Sequence, residues 1–227
     1  MTLQEALKKL EALGTGQNRK IYRRHGAGEN LFGVSFANLG ALKKQIKTDH
    51  ALALALWDTG NDDARQLALM VADPARMTGQ TIESWAKGLN GFLSGTFAGL
   101  VGRTPLACEQ MEAWLNAKPE WTSCVGWLVL AHLAAHDANL PDTFFTPYLR
   151  AIQREIHQRR NWVRSAMNGV LIAIGSRNPA LAKEALAAAN VIGRVEVDHG
   201  QTGCKTPDAA AYIRQARARK AAHAAKA

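Results

Sequence analysis

The sequence predicts an all-α fold for this chain of 227 residues. Apolar residues recur at the spacing of a helical face along most of its length. No run alternates with the period of two of a half-buried strand for more than a few residues, and the best strand candidate, residues 193–198, is short. Glycine and proline interrupt the pattern often enough to leave helices of ~10–16 residues joined by short loops.

The helices at the N-terminus are predicted from two series of apolar residues at helical spacing. The second series follows Ser35, a residue type that caps helix N-termini well. The two series are Leu3, Leu7, Leu10 and Leu13, and Phe36, Leu39, Leu42 and Ile46. The later helices are bounded by turn-forming residues at 59–60, 73–74, 104–105, 118–119, 140–141, 178–179 and 206–207, after earlier breaks at 14–16 and 26–33.

An internal repeat is found in the second half of the chain. The segment PEWTSCVGWLVLAHLA, from Pro119, aligns with RNWVRSAMNGVLIAIG, from Arg160, at an offset of 41 residues that places Trp121 over Trp162. This period is typical of HEAT-like repeats, which stack helix pairs into a solenoid. The alternative is a three- or four-helix bundle in which the similarity is coincidental. In a solenoid, the stripe Asn161, Arg164, Ser165 and Asn168 is expected on a concave, polar and partly basic face.

Composition limits the class of protein. Apolar residues make up 47% of the chain, enough for a sizeable core, which excludes a disordered chain and a disulfide-stabilised miniprotein. The three cysteines, an odd number, together with the lack of a secretory signal pattern, predict a cytoplasmic location. No apolar run reaches the ~18 residues of a membrane helix, so no membrane partner is expected.

The positive charge is concentrated in the C-terminal part of the chain. Residues 1–140 contain 14 Lys and Arg against 13 Asp and Glu, whereas residues 141–227 contain 14 against 6. Such an excess favours a polyanionic partner, because each neutralised phosphate releases condensed counterions. A solvated basic face without a partner is the alternative.

The motifs of nucleotide-dependent enzymes and of common metal sites are absent from the sequence. Asp198, His199 and Cys204 are the only cluster of metal-ligand types, but a zinc site there would lack a fourth ligand, and we expect neither a metal nor a cofactor. A tight turn that uses Gly200 and Gly203 is an alternative, and a functional loop in which Lys205 reaches phosphate is another.

Aromatic and basic residues in the same segments predict a surface for nucleic acid. Most of the six tryptophans are expected in the core, with two on the binding face, Trp121 and Trp162 being favoured. A run of arginines mixes helical i, i+4 spacing with an adjacent loop pair, and it comprises Arg150, Arg154, Arg159, Arg160 and Arg164. If this run is only a solvated helix, Glu155 is its partner. The candidate DNA-binding residues are Trp85, Trp121, Arg150, Arg159, Arg160, Trp162, Arg164, Asn168 and Lys205.

The domain organisation is predicted to be a single helical-repeat domain over residues 1–213, followed by a basic tail over residues 214–227. The tail begins as a helix and is expected to fray into a basic arm. Its cations are Arg214, Arg217, Arg219, Lys220 and Lys226, and no acidic residue follows Asp208.

Residues 18–74 resemble the N-terminal half of AlkD-type bacterial DNA alkylation repair proteins. The resemblance lies in the FGV turn at 32–34, the LW pair at 56–57 and the DAR triplet at 63–65, and the later strings SWAKGLNGF, RNWVRSAM and VEVDHGQTGCKTPDA extend it over most of the chain. It implies a HEAT-like superhelix that clasps duplex DNA. In active members it also implies hydrolysis of the glycosidic bond of N3- or N7-alkylated purines without extrusion of the base.

The resemblance fails at the positions that would carry catalysis. In active members a carboxylate follows a tryptophan in the middle of the chain, but here no acid lies between Glu83 and Glu109, and Asn90 or Gly95 stands near its place. Residues 123–124 and 168–169 similarly stand where an arginine and a tryptophan are expected. A glycosylase would need another acid, such as Glu83 or Asp198, to stabilise the oxocarbenium-like transition state.

These observations predict a monomer that binds duplex DNA, including alkylated DNA, through a concave basic surface. Glycosylase activity and base excision stay open. The alternative is a non-catalytic HEAT-like scaffold for an acidic protein partner. Clustering of Arg150, Arg160, Arg164 and Lys205 on one face would favour DNA, whereas scattered arginines around an apolar groove would favour the scaffold.

Overall fold

The computed structural model describes residues 1–224, and side chains up to Ala222. Helices account for well over half of the chain, as the sequence predicts, and within the described residues the only β-pairing is an isolated bridge between Gly14 and Val34. The helices are α1 Leu3–Leu13, α2 Gly16–Arg24, α3 Phe36–Ile46, α4 His50–Asp58, α5 Asp62–Val71, α6 Gly79–Ala86, α7 Gly91–Val101, α8 Ala107–Trp114, α9 Glu120–His136, α10 Asp142–Glu155, α11 Asn161–Gly175, α12 Pro179–Ile192 and α13 Ala209–Ala224.

Helix starts follow local capping chemistry. Ser35 accepts the backbone N–H of Asn38 at the start of α3, as predicted. Asn178 caps α12 and is followed by Pro179, whose fixed φ suits the first helical position. Residues 193–198 form neither a strand nor a helix. In residues 1–224, no helix is both long and apolar enough to cross a membrane.

The chain divides into two compact units. The first comprises Met1–Gln110 with Gly200–Thr202, and the second comprises Met111–His199 and the residues from Gly203 on. The prediction of one repeat domain over residues 1–213 stays a prediction. Helix α13 continues past residue 214, where the tail was predicted to begin. It is attached to the second unit by buried Ile213 and by a hydrogen bond from Lys220 Nζ to the Ser176 carbonyl. Lys226 of the predicted tail lies outside the described residues.

The first unit is organised around Asp63, which is fully buried. Its carboxylate accepts the backbone N–H groups of Phe32, Gly33 and Val34, with N···O distances of 2.6, 2.8 and 2.9 Å. Gly33 has φ +82°, and a Cβ there would lie 2.5 Å from the Thr15 carbonyl oxygen, so only glycine fits this turn. The aspartate of the DAR triplet therefore holds the FGV turn in place through hydrogen bonds to its three backbone N–H groups.

The arginine of the same triplet belongs to a second contact in this unit. Arg65 donates to the Trp57 carbonyl (3.2 Å), and its guanidinium lies 4.9 Å from the centroid of the Trp57 ring. Trp57 in turn stacks on Trp85, with ring centroids 4.4 Å apart and an interplanar angle of 8°. Both indoles are buried, so they stabilise the core of the first unit.

The second unit is built from stacked helix pairs in two layers. Helices α9, α11 and α13 form one layer, and α10 and α12 pack beside each other in the other. Helices α9 and α11 run in the same direction, as two contacts show. Trp162 N donates to Glu120 Oε1 (2.9 Å) where both helices begin, and Arg177 Nη1 donates to the Ala134 carbonyl (3.1 Å) where both end. This parallel stacking is the geometry that the 41-residue offset predicts.

Close packing of the helix pair α8–α9 depends on one glycine. A Cβ on Gly126 would lie 2.9 Å from the Leu115 backbone nitrogen, which is too close for any residue with a side chain. Ser123, one turn earlier, donates its hydroxyl to the Leu115 carbonyl (2.7 Å). Together these contacts fix the connection that leads into α9.

Candidate nucleic-acid interface

The two tryptophans that the repeat relates lie side by side at the starts of α9 and α11. The rings of Trp121 and Trp162 stack with centroids 5.6 Å apart and an interplanar angle of 25°, and both residues are half-buried. His199 meets Trp162 edge to face at 6.2 Å, and its Nε2 lies 3.0 Å from Thr206 Oγ1. The pair therefore offers aromatic surface at one end of the second unit.

Backbone N–H groups and a cation accompany this aromatic pair. The N-cap residues of α9 and α11, Pro119 and Arg160, supply no side-chain hydrogen bond to the first turn of either helix. One N–H group of α11, that of Trp162, donates to Glu120. The Arg160 side chain is exposed and donates to the Lys118 carbonyl. We call Trp121, Trp162, His199 and Arg160, with the first turns of α9 and α11, the tryptophan edge.

The polar stripe on α11 has a different use from the one the sequence predicts. Asn161 exchanges two hydrogen bonds with the backbone of Asp198, at 2.7 and 2.8 Å. Arg164 donates to the Glu196 carbonyl at 2.8 Å, and Asn168 donates to the Pro207 carbonyl at 3.0 Å. The stripe therefore holds the irregular segments 193–199 and 203–208 against α11 instead of lying open to a ligand.

This correction applies most strongly to Asn168. Its side chain is 1% exposed, and its amide is committed to Pro207, so it anchors the segment that leads into α13. Arg159 is half-buried, and its guanidinium is also committed to the protein: it donates to the Leu115 carbonyl (2.5 Å) and to Asn116 Oδ1 (3.0 Å). Neither side chain is available to DNA without breaking a contact of the fold.

A cavity of about 1220 Å³ lies between α11, α12, the start of α13 and the two irregular segments. Arg164, Arg194 and Lys205 line it together with Glu196 and Asp198. Arg194 is 88% exposed and lies 3.8 Å from Glu196, a distance at which an exposed ion pair is weak. Arg194 is not among the residues predicted from the sequence, although a residue directly after the C-cap glycine of a helix, here Gly193, is typically exposed.

The remaining predicted cations are not all brought together. Lys205 is exposed on the wall of this cavity, which also includes His199 of the tryptophan edge. Arg150 is exposed on α10, in the other helix layer. The four cations whose clustering would favour DNA are thus split, with Arg160, Arg164 and Lys205 around the start of α11 and the adjoining cavity, and Arg150 apart.

Two of the predicted site residues, Trp85 and Glu83, belong to the first unit. Trp85 is 3% exposed and stacked on Trp57, so burial removes it from the candidate interface. Glu83 is exposed on α6 of the first unit, whereas Asp198 is exposed in the second. Asn90, near the place of the family carboxylate, caps α7 and donates to Asp62 Oδ2 (2.9 Å), so its role here is structural.

The described residues include no group of three potential metal ligands close enough to hold an ion. Cys124 is buried, and desolvation, with a further effect of Glu120, raises the pKa of its thiol to about 12. A thiol with such a pKa stays protonated near neutral pH and does not act as a nucleophile. The tryptophan edge presents aromatic faces, backbone N–H groups and an exposed cation.

This chain matches a family model and is similar to known sequences and to a solved structure. The model of a family described as DNA alkylation repair enzyme matches residues 6–216. Uncharacterised proteins of Listeria innocua and Listeria monocytogenes are each 29% identical to this chain over 217 residues, covering 92% of it and 95% of each relative.

A solved structure is similar over 97% of this chain and 95% of its own, with a TM-score of 0.87 and 27% identity. It is described as a new family of proteins related to the HEAT-like repeat DNA glycosylases, with affinity for branched DNA structures. The all-α, HEAT-like fold predicted from the sequence is thereby confirmed.

Proposed function

Because the chain belongs to the DNA alkylation repair enzyme family, we propose that it is a DNA-binding protein that contacts duplex and branched DNA through its tryptophan edge. The observation that carries this proposal is the half-buried, stacked pair Trp121 and Trp162 beside exposed Arg160, at the adjacent starts of two parallel helices. Aromatic faces pack against bases and sugars, and helix N-termini attract phosphate.

The charge balance of the second half of the chain supports the same partner. The excess of Lys and Arg after residue 140 favours a polyanion, and Lys205 and Arg194 extend the cationic surface from the tryptophan edge along the cavity. Branched DNA enters the proposal because a relative of 27% identity and nearly equal extent is described as having affinity for it. Alkylated duplexes are included because of the family.

The proposal concerns binding and not rapid base excision. Excision requires a carboxylate or comparable electrostatic group beside the sugar whose charge develops. The stretch in which the resemblance places that group contains no acid, and Asn90 there is occupied as a helix cap. We therefore expect a protein that holds DNA and contributes little to cleavage of the glycosidic bond.

The test compares two single variants of the full chain by fluorescence anisotropy, with a linear duplex and a four-way junction of the same base composition. Arg160→Gln removes the cation of the tryptophan edge. Lys183→Gln removes an exposed cation of the same unit near the start of α12, at the other end from the start of α11.

If Arg160 neutralises one phosphate, Arg160→Gln lowers the slope of log K against log salt by ~0.9, whereas Lys183→Gln leaves the slope unchanged. Tighter binding of the junction than of the duplex would support the branched substrate. Absence of DNA binding by the unmodified chain, or equal effects of the two variants, would contradict the proposal and favour the scaffold for an acidic protein.

A further inference from the structure

Helix α2 of the first unit is unusually polar. None of its nine residues is buried. It contains four cations, Arg19, Lys20, Arg23 and Arg24, and no acid. Tyr22 packs its ring against Phe92, with centroids 4.7 Å apart, but no residue of α2 is buried, so core packing does not account for its four cations.

The side of α2 that faces the protein is defined by two hydrogen bonds. Tyr22 donates its hydroxyl to the Val34 carbonyl (3.0 Å), and Asn18 donates its amide to the Gly33 carbonyl (3.0 Å). With 3.6 residues per turn, positions 18 and 22 share one side and positions 20, 23 and 24 point away from it, whereas position 19 lies at its border, where Arg19 reaches the Phe32 carbonyl. We call Arg19, Lys20, Arg23 and Arg24 the α2 cationic face.

This face keeps most of its positive charge. Within the part of the chain that the structure describes, its one ion pair joins Arg23 to Glu29 at 2.6 Å, and both partners are exposed, so water screens the pair. Arg19 donates to the Phe32 carbonyl, a neutral group (3.1 Å). Among the described residues, the side chains of Lys20 and Arg24 have no hydrogen bond or ion pair, and both residues are exposed.

The chemistry of the face fits a phosphate backbone. Three of its four cations are arginines, whose planar fork binds phosphate oxygens in pairs. Residues four apart on a helix lie roughly 6 Å apart along its axis, close to two steps of the ~3.4 Å axial spacing of charges on one DNA strand. A membrane surface fits less well, because it requires a wide exposed apolar face, to which α2 contributes only Ile21.

We propose that the α2 cationic face is a second DNA-backbone contact, carried by the first unit and separate from the tryptophan edge. Charge counting along the chain does not reveal it, because the four cations are cancelled by acids elsewhere in residues 1–140. The proposal goes beyond the function given above, which assigns DNA binding to the second unit alone.

The test uses the full chain and a linear DNA duplex as the probe, with binding measured at several salt concentrations. The variant Lys20→Gln/Arg24→Gln removes the two cations that make no side-chain contact. The matched control, Lys43→Gln/Lys44→Gln, removes the same charge from the exposed last turn of α3 in the same unit. A third variant, Lys20→Arg/Arg24→Lys, keeps both charges.

If both cations contact phosphates, the first variant lowers the salt slope by about 1.8, while the control and the charge-conserving variant retain the original slope. Circular dichroism and melting should be equal for all four proteins, since no contact is removed. An unchanged slope in Lys20→Gln/Arg24→Gln, or an equal decrease in the α3 control, would overturn the proposal.

Three further outcomes distinguish a DNA contact at the α2 cationic face from a membrane contact and from the tryptophan edge. Loss of binding to vesicles containing phosphatidylserine, with unchanged DNA affinity, would assign the face to a membrane and overturn the DNA contact. A decrease in slope for the α2 variant but none for Arg160→Gln would uphold the α2 contact while the tryptophan edge fails. The reverse pattern would uphold the tryptophan edge alone.

Discussion

Replacing Asp63 by asparagine should destabilise the first unit far more than the same change at its neighbour Asp62. The Asp63 carboxylate accepts one N–H group on Oδ1 and two on Oδ2. An asparagine amide has one acceptor oxygen, so in either orientation its NH₂ group faces at least one backbone N–H. At least one buried donor then loses its acceptor, and the remaining bonds lose the charge that strengthens them.

The size of the loss follows from these contacts. Hydrogen bonds to a charged group contribute ~1.5–3 kcal/mol each, and an unsatisfied buried donor costs ~1–3 kcal/mol. Burial raises the pKa of Asp63 despite its three N–H partners, so desolvation offsets part of the gain. We therefore expect Asp63→Asn to lower the free energy of unfolding by ~2–4 kcal/mol at neutral pH.

Asp62→Asn is the matched control. Asp62 uses a single oxygen, Oδ2, to accept the Gly28 N–H (2.6 Å) and the Asn90 amide (2.9 Å). An amide oxygen in the same place can accept both, so we expect a loss of about 1 kcal/mol or less. Urea denaturation can be followed by near-UV circular dichroism, to which the buried Trp57–Trp85 stack of the same unit contributes. Equal losses in the two variants would refute this account of Asp63.

Two further predictions concern chemistry. The first uses single-turnover reactions with duplexes that contain 7-methylguanine or 3-methyladenine. We expect the activation free energy of base release to be ~3–4 kcal/mol higher than in a family member that has its carboxylate. Rapid release that Glu83→Gln or Asp198→Asn abolishes would contradict this and would identify the missing acid. The second uses iodoacetamide near pH 8. Exposed Cys204 should react before Cys124, because burial raises the pKa of the Cys124 thiol to about 12. If duplex DNA covers the cavity, it should slow the labelling of Cys204. Mass spectrometry measures both sites, and Cys204 labelling that ignores DNA would place the DNA elsewhere.

The identity of the fold could be predicted well from local patterns. The apolar spacing that begins at Phe36, the cap at Ser35 and the proline at 179 each act within one or two turns of a helix, so the sequence determines them directly. The offset that pairs Trp121 with Trp162 was also readable, because equivalent positions in stacked repeats must pack against each other.

The roles of the individual polar residues could not be predicted in the same way. Asn161, Arg164 and Asn168 have the spacing of an exposed stripe, yet their partners are backbone groups 32 to 39 residues further along the chain. The sequence of a helix determines which side chains share a face but does not determine what that face meets. Trp85 was misplaced for the same reason, since its stacking partner Trp57 lies on another helix.

By itself, the sequence determined an all-α repeat protein of the alkylation repair family, with an excess of cations after residue 140 and no acid between Glu83 and Glu109. Only the tertiary structure decided which cations stay available. After residue 140, Arg159 is committed to carbonyl and amide groups whereas Arg160 is exposed, and in the first unit Lys20 and Arg24 are exposed. The physical reason is that availability depends on which distant carbonyl and carboxylate groups satisfy each donor, and folding brings those groups together.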